Sequence, residues 1–240
     1  MIVGFDPSVT HFGWVTFDDT KTGRDSVLEG GVFQTDTSDG LMVQRLLMQQ
    51  ERIRLFLLSR NIKFVAMEAP VWGDFSSELL FALNQFTHQI YLDMKMYVVQ
   101  FSPSTLKKYA YPTMDPDEIT KHHMTHAAKT DLGRHGKRLS EHVADAYFAG
   151  KLGLRYYRWL FKKELTDDDL SEHERELFCG KHTFVKGAKR GITEYTGIIY
   201  KENEKFFDYR NKERDSKTIF KETQNAGESS YAGRIFEKSV

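Results

Sequence analysis

Three short runs of β-forming residues open the chain. Residues 2–5, 12–17 and 26–35 are rich in aliphatic, β-branched and aromatic side chains, and turn-forming residues separate them. Runs this close in sequence predict three strands that pair as an antiparallel meander. Within the third run, Gly30 and Gly31 predict a break in the strand.

The spacing of apolar residues then changes from that of strands to that of helices, and back again. Leucine and isoleucine recur at helical spacing from residue 41 to about residue 58, with Asp39 as the expected N-cap. A buried strand over 63–68 follows. After it come an amphipathic helix over 75–95 and a further strand over 96–101.

Three more helices are predicted before residue 155. Ser102 caps a short helix that runs through Tyr109, and the segment 115–118 opens another, because proline and acidic residues suit the first turn of a helix. A last strong helix runs from 139 to about 154. Strands that alternate with helices in this way predict an α/β domain over residues 1–155.

Residues 156–240 have a different pattern and are predicted to form a C-terminal extension. We expect a helix through residue 178 that is capped by residues 166–169, then a β-hairpin over 183–200 and a polar tail after residue 211. The hairpin either contacts a DNA backbone or is solvated and only closes the fold. Its basic and aromatic residues are Lys181, Lys186, Lys189, Arg190, Phe184, Tyr195 and Tyr200.

The composition excludes several classes of protein. A single cysteine, Cys179, among 240 residues forbids an intrachain disulfide, and 40% hydrophobic residues can supply a globular core. No apolar run approaches the roughly 18 to 20 residues that a transmembrane helix needs. The first residues have neither the basic segment nor the cleavage site of a signal peptide. We therefore expect a cytoplasmic protein.

The net charge is zero, with 34 basic and 34 acidic side chains, but the charges are unevenly distributed. Residues 1–100 carry 8 basic and 12 acidic side chains, whereas residues 101–155 carry 9 and 6, and residues 181–221 carry 11 and 6. The neutral total therefore does not exclude a nucleic-acid partner, because the basic excess falls in two separate stretches.

Two acidic residues occupy equivalent places on two apolar strands. Asp6 ends the run Ile-Val-Gly-Phe-Asp, and Glu68 ends the run Phe-Val-Ala-Met-Glu. If these strands lie side by side and parallel, both carboxylates emerge at the edge of the sheet where ligand sites gather. Oxygen ligands of this kind suit Mg²⁺ or Mn²⁺. The alternative is that each acid only caps its strand or forms a turn.

A histidine and an aspartate share one face of the last predicted helix. His142 and Asp145 are three residues apart, and small apolar side chains surround them. A helix packed against a sheet rarely places an aspartate on its buried side. The pair is therefore either functional or a satisfied, half-buried polar pair.

Four ordered motifs together resemble a known family. They are Ile-Val-Gly-Phe-Asp-Pro-Ser-Val-Thr-His-Phe-Gly-Trp at 2–14, Val-Ala-Met-Glu at 65–68, Phe-Ser-Pro-Ser-Thr-Leu-Lys at 101–107 and His-Val-Ala-Asp-Ala at 142–146. In this order they resemble the RuvC group of Holliday-junction resolvases, which belongs to the RNase H-like nuclease superfamily. The resemblance covers residues 1–155. It implies a mixed sheet of three antiparallel strands followed by parallel strands, flanked by helices. The C-terminal extension fits a viral or bacteriophage member, which would act in the host cytoplasm.

The same resemblance implies an active site. Asp6, Glu68, His142 and Asp145 would form the catalytic and metal-binding set for two Mg²⁺ ions, with Mn²⁺ as a substitute. The implied reaction is two-metal hydrolysis of a phosphodiester, which leaves 5′-phosphate and 3′-hydroxyl ends. Many family members have an aspartate where this chain has His142. A histidine can either bind a metal or position the attacking water.

Residues for DNA binding also follow from the resemblance. Lys107 matches a DNA-contacting lysine, Lys108 is adjacent to it, and Lys121 is the nearest substitute for a second family lysine. Trp72 and Phe75 lie in the loop where a family aromatic stacks on bases near the junction centre. Each lysine can equally be a solvated surface charge, and Trp72 can equally pack under the next helix.

The implied substrate is branched DNA, four-way junctions above all, and the implied assembly is a homodimer, because paired incision of a junction needs two active sites. We expect neither a membrane nor a small-molecule cofactor. In RuvC-like proteins the helix after the catalytic glutamate lies at the dimer interface. Here that helix carries a broad apolar surface formed by Leu79, Leu80, Leu83, Phe86, Ile90, Tyr91 and Met94.

Three other interpretations remain open. An actin-like or sugar-kinase-like phosphotransferase shares the opening strand but needs glycine-rich phosphate loops. A DNA-binding protein could keep the fold without catalysis. His122, His123 and His126 could form a zinc site, although no cysteine or acid at ligand spacing accompanies them.

Overall fold

The protein is described here from a computed structural model. Its structure is described for residues 1–69, 82–83, 87, 89–91, 94, 96–136, 139–179, 198–201 and 205–208.

A five-stranded mixed sheet forms the centre of the molecule. Its strands are β1 (Ile2–Asp6), β2 (His11–Phe17), β3 (Val27–Gln34), β4 (Phe64–Glu68) and β5 (Tyr97–Phe101), in the spatial order β3-β2-β1-β4-β5. β1, β2 and β3 pair antiparallel, whereas β4 pairs parallel with β1 and β5 pairs parallel with β4. The predicted α/β fold with an antiparallel meander followed by parallel strands is confirmed.

The third strand continues through its two glycines, so the predicted break is wrong. Gly30 pairs with Val15 and Gly31 pairs with Trp14 on β2. A Cβ atom on Gly31 would lie 2.8 Å from the Trp14 ring. The absence of a side chain therefore gives the indole room beside the strand and does not interrupt the strand.

Five α-helices are bounded in the described part of the chain. They are α1 (Met42–Ser59), α2 (Pro103–Ala110), α3 (Lys121–Leu132), α4 (Glu141–Tyr157) and α5 (Glu172–Cys179). Residues 82–83, 87 and 89–91 are also helical, within the helix predicted over 75–95. None of the described helices is both long and apolar enough to cross a lipid bilayer.

The predicted N-cap of the first helix is wrong, although α1 lies within one residue of its predicted range at each end. Asp39 ends a 3₁₀ turn over Thr37–Asp39, and its carboxylate accepts a hydrogen bond from the Asp36 N–H at 2.9 Å. Gly40 then takes φ 110°, which no right-handed helix contains. α1 is capped instead at Leu41, whose N–H donates to Gln44 Oε1 at 2.7 Å.

The acidic segment 115–118 does not open a helix as predicted, because it forms a turn. The carboxylate of Asp115 accepts a hydrogen bond from the Asp117 N–H at 3.0 Å, which favours a turn over a helix. α3 begins later, after Thr120, whose hydroxyl accepts a hydrogen bond from the His123 N–H. The chain is therefore helical only from Lys121, and this residue lies in the first helical turn.

The structure changes one prediction for the C-terminal region and leaves most of the others outside the described residues. Thr166 caps only a short 3₁₀ turn over Asp167–Asp169, and the helix that reaches residue 178 begins at Glu172. Strands β6 (Ile198–Lys201) and β7 (Lys205–Asp208) pair antiparallel. Most of the hairpin predicted over 183–200, with its basic residues, and the predicted polar tail lie outside the described residues.

The two faces of the sheet bury separate apolar cores. On one face Phe5, Phe12 and Val65 pack with Ile53 and Leu57 of α1. The other face packs against α4, α3 and α2, and its buried side chains include Phe17, Ala66, Val99, Ala146 and Leu152. Both faces of the sheet are therefore packed against helices.

Glycines allow the backbone of α4 to touch the sheet. A Cβ atom on Gly4 of β1 would lie 2.1 Å from the carbonyl oxygen of Ala146 and 2.5 Å from the backbone nitrogen of Gly150. A Cβ on Gly13 of β2 would lie 2.2 Å from the carbonyl oxygen of His142. The first turns of α4 are therefore placed directly on the ends of β1 and β2.

We expect Gly4→Ala to destabilise the protein strongly, since the new methyl group would overlap backbone atoms that cannot rotate away. The free energy of unfolding should fall by roughly 2 to 4 kcal/mol, above the usual cost of overpacking a core. Urea denaturation measures it. Gly23→Ala is the control: it adds the same methyl group in open space at φ 59° and should cost only about 1 kcal/mol. Equal losses in the two variants would contradict the close contact.

Candidate metal centre

The parallel pairing of β1 and β4 places Asp6 and Glu68 at the same edge of the sheet. Phe5 pairs with Met67 in the register, so the two strands end together. Asp145 comes from the second turn of α4, which the glycine contacts hold over β1. Two strands and one helix thus place three acidic side chains close together.

The three acids form a compact group. Asp6, Glu68 and Asp145 each offer a carboxylate oxygen, and these oxygens all lie within 4.8 Å of one another. Each residue is only partly exposed. In the described part of the chain, no other group of three or more histidine, cysteine or acidic side chains is arranged this closely. The group is therefore a candidate metal centre built from oxygen ligands.

Burial makes the three carboxyl groups hard to ionise, and repulsion by neighbouring carboxylates adds to this at Glu68 and Asp145. Burial raises the pKa of Glu68 well above its ordinary value, and the charges of Asp6 and Asp145 raise it further. Burial, with the charge of Asp6, raises the pKa of Asp145 to about 7. Burial also raises the pKa of Asp6, against the opposing effect of a hydrogen bond from His142. A divalent cation would relieve all three costs, so the group fits one.

His142 contacts the group at Asp6. Its Nδ1 atom lies 2.9 Å from Asp6 Oδ2, and the two side chains are 26% and 15% exposed. His142 is not a member of the three-carboxylate group. An ionised Asp6 can only accept, so Nδ1 then donates in this pair, and in a neutral imidazole the lone pair lies on Nε2. The structure therefore brings all four predicted residues together but gives His142 a different place from the three acids.

Two of the three predicted lysines are near the acids. The positive charge of Lys121 lowers the pKa of Asp6, Glu68 and Asp145, in each case against a larger effect of burial. Its amine is exposed and lies 4.0 Å from a carboxylate oxygen of Glu141. Lys121 therefore places an exposed positive charge beside the acids, within ion-pair distance of Glu141.

Lys107 and Lys108 differ although they are neighbours on α2. Lys107 lies close enough to Glu68 to lower its pKa, and its amine donates to the carbonyl oxygen of Pro116 at 3.2 Å. Lys108 acts instead on His173, whose pKa falls through burial first and then through this positive charge. The turn at 115–118 therefore holds the Lys107 amine beside the acids, whereas Lys108 is directed elsewhere.

Several predicted residues have no described contact with the centre. Trp72 and Phe75 lie outside the described residues, as do Leu79, Leu80 and Phe86 of the helix expected at a dimer interface. Leu83, Ile90 and Tyr91 of that helix are buried against the α1 face of the sheet. These three therefore serve the core.

The histidines of α3 make separate contacts. The His123 ring accepts a hydrogen bond from the Thr120 N–H at 3.2 Å, while His122 and His126 are exposed. They gather no third ligand among the described residues. The structure therefore adds nothing in favour of a zinc site on this helix.

Sequence reasoning missed two residues at the centre, Gly13 and His11. Gly13 pairs with Asp6 and gives the His142 backbone room to approach. The His11 ring stacks on the His142 ring, with 5.3 Å between centroids and 7° between planes. Strand alternation was the available signal, because His11 and Gly13 are two residues apart on β2 and so share a face.

Solved structures of other proteins share this architecture. The chain matches the Thermus thermophilus RuvC structure in complex with a Holliday junction substrate, with a TM-score of 0.53 and 19% sequence identity over 66% of this chain and 95% of that one. The chain has the RuvC fold. A second Thermus thermophilus RuvC structure matches with a TM-score of 0.51, also at 19% identity and with the same coverage of each chain. No family model and no curated protein sequence matches the chain.

This chain shares the RuvC fold with the Thermus thermophilus proteins but few of their residues. At 19% identity the likeness lies in the course of the backbone, and function depends on the side chains at the site. In this chain the local feature that bears on function is the convergence of Asp6, Glu68 and Asp145 at the sheet edge.

Proposed function

We propose that the protein is a metal-dependent endonuclease that cuts branched DNA, four-way junctions above all. The observation that carries the proposal is the group of three partly buried carboxylates, Asp6, Glu68 and Asp145, at the strand ends of a RuvC fold. Buried acids this close are costly unless a cation compensates them. The RuvC protein of Thermus thermophilus was solved with a Holliday junction bound, which supports a junction as the substrate.

The donor set suits Mg²⁺, with Mn²⁺ as a substitute, because it consists of carboxylate oxygens alone. Asp6, Glu68 and Asp145 would hold the metal. When bound, the ions would lower the pKa of the attacking water and stabilise the leaving 3′-oxygen of the phosphodiester.

The remaining residues of the site have tasks that follow from their positions. Asp6 is the shared residue, because it belongs to the carboxylate group and also accepts from His142. His142 keeps Nε2 free of that hydrogen bond, and this atom can receive a proton from water or hold a water in place. Lys121 and Lys107 offset the negative charge that the DNA phosphate adds next to three acids.

A homodimer is part of the proposal. Symmetric incision of a junction requires two active sites, and a two-fold dimer supplies them in one particle. The helix predicted over 75–95, after Glu68, is the proposed interface, as in RuvC-like proteins.

The proposal is tested with a synthetic four-way junction and a plain duplex of the same sequence. With Mg²⁺ we expect paired nicks in opposite strands of the junction, ends that a ligase can rejoin, and little cleavage of the duplex. With EDTA we expect binding without cleavage. Absence of cleavage with every divalent ion tried would overturn the proposal, and tight junction binding under those conditions would favour a DNA-binding protein without catalysis.

A further inference from the structure

A second histidine lies against the proposed site and has no task in the reaction described above. The imidazole of His11 stacks on that of His142, with the two planes within 7° of parallel. His142 in turn contacts Asp6 through Nδ1. His11 is therefore separated from the carboxylate group by a single ring.

The strand register explains why the rings meet. Asp6 on β1 pairs with Gly13 on β2, and His11 projects from the same face of β2 as Gly13. The first turn of α4 covers that face at Gly13, where the His142 backbone makes its closest approach. A side chain at position 11 is thus directed beside the His142 ring.

The turn that carries His11 is held from two sides. Ser8 Oγ accepts hydrogen bonds from the N–H groups of His11 at 3.2 Å and Thr10 at 3.3 Å. From α1, the buried side chain of Gln49 donates through Nε2 to the Val9 carbonyl at 3.1 Å. These bonds fix the backbone next to His11 and so restrict the positions that its ring can reach.

We propose that His11 is a positioning residue for His142. The stacked ring holds the His142 imidazole in the plane that directs Nδ1 at Asp6, and this leaves Nε2 in one defined place. Without it, a histidine in the first turn of α4 has other side-chain rotamers available. The kinetic consequence rests on the nuclease function proposed above, whereas the effect on the ring itself does not.

The kinetic test compares His11→Ala with His11→Phe on a four-way junction. We expect His11→Ala to lower kcat on the order of tenfold with KM unchanged, because a misplaced catalytic group slows the chemical step. His11→Phe keeps a flat ring that can stack and should recover kcat to within about threefold of the wild type. His126→Ala, which removes an exposed histidine from α3, is the control and should match the wild type.

A second readout uses the metal-free protein and needs no cleavage. Imidazole ¹H–¹⁵N spectra, assigned with His142→Gln, should show a single set of His142 ring resonances in the wild type and in His11→Phe. In His11→Ala they should show exchange between ring orientations. If His11→Ala has both the spectrum and the kcat of the wild type, the proposal is overturned. Equal losses in both variants would also overturn it, since they would assign the effect to the nitrogen atoms of His11. If the spectra change as expected but the wild type cleaves nothing, only the nuclease proposal fails.

Discussion

Asp6→Asn is expected to abolish junction cleavage while junction binding survives. Asp6 is the residue that joins the carboxylate group to His142, so its charge acts on every proposed part of the site. Asparagine has the same shape and can still accept from His142 Nδ1, but it lacks the negative charge that holds a cation. A bound metal stabilises the transition state by several kcal/mol, and losing that stabilisation corresponds to a decrease in kcat of at least about 10³-fold.

The measurement is single-turnover cleavage of a labelled four-way junction in Mg²⁺, together with binding by gel shift in Ca²⁺ or EDTA. Asp25→Asn removes an equal charge from an exposed position outside the site and should leave both quantities unchanged. Binding by Asp6→Asn should equal or exceed that of the wild type, because one negative charge next to the DNA phosphates is gone. Cleavage by Asp6→Asn within about threefold of the wild-type rate would remove Asp6 from the catalytic centre.

The strands and the two strand-end acids could be predicted because their signals are local. Apolar runs of four to six residues specify β1 and β4, and Asp6 and Glu68 follow directly from where those runs end. The parallel pairing of the two strands then brings the acids to one edge of the sheet, as expected for an α/β order of elements.

The helix starts were less predictable, because several residues compete as caps. Asp39 and Asp115 both have the chemistry of an N-cap, but each accepts a hydrogen bond within a tight turn instead. Leu41 and Thr120 are the actual caps. Which of several nearby residues caps the helix depends on where the helix packs on the sheet, and the local sequence does not determine this.

The contacts around His142 could not be predicted from spacing. His142 and Asp6 are 136 residues apart in sequence, and only the approach of α4 to Gly13 makes them neighbours. The stacked position of His11 depends on the same approach. Sequence patterns identified the acids that would meet, but the side chains that orient them depend on tertiary packing.

The second large effect concerns stability, and we expect Asp145→Asn to make the metal-free protein more stable at neutral pH. Burial, with the charge of Asp6, raises the pKa of Asp145 to about 7. Ionising this side chain therefore costs more in the folded state than in the unfolded state. Each pKa unit corresponds to about 1.4 kcal/mol, and partial solvent access reduces the total effect. We therefore expect the free energy of unfolding of the variant to be higher by about 2 kcal/mol. This corresponds to a rise in Tm of roughly 4 to 8 °C.

The pH dependence follows from the direction of the shift. A raised carboxyl pKa means that the folded protein binds more protons than the unfolded chain between about pH 4 and pH 7, so the wild-type stability falls as the pH rises through this window. Asparagine cannot ionise, so the variant lacks this contribution. The two proteins should have similar Tm values near pH 4. The difference in Tm should increase up to about pH 7 and stay constant above it. A constant difference across the range would contradict the assignment to Asp145.

Mg²⁺ should reverse the order of the Tm values of the wild type and Asp145→Asn. In EDTA at pH 7.5 Asp145→Asn should melt above the wild type, whereas in saturating Mg²⁺ the wild type should gain stability by ligand linkage and the variant should gain much less. Asp25→Asn, measured alongside, should follow the wild type in both buffers. Differential scanning fluorimetry over a Mg²⁺ titration measures the crossing. If Mg²⁺ raises the Tm of both proteins equally, the carboxylate group is not the metal site, because a cation held by Asp145 cannot stabilise the variant that lacks its charge to the same extent.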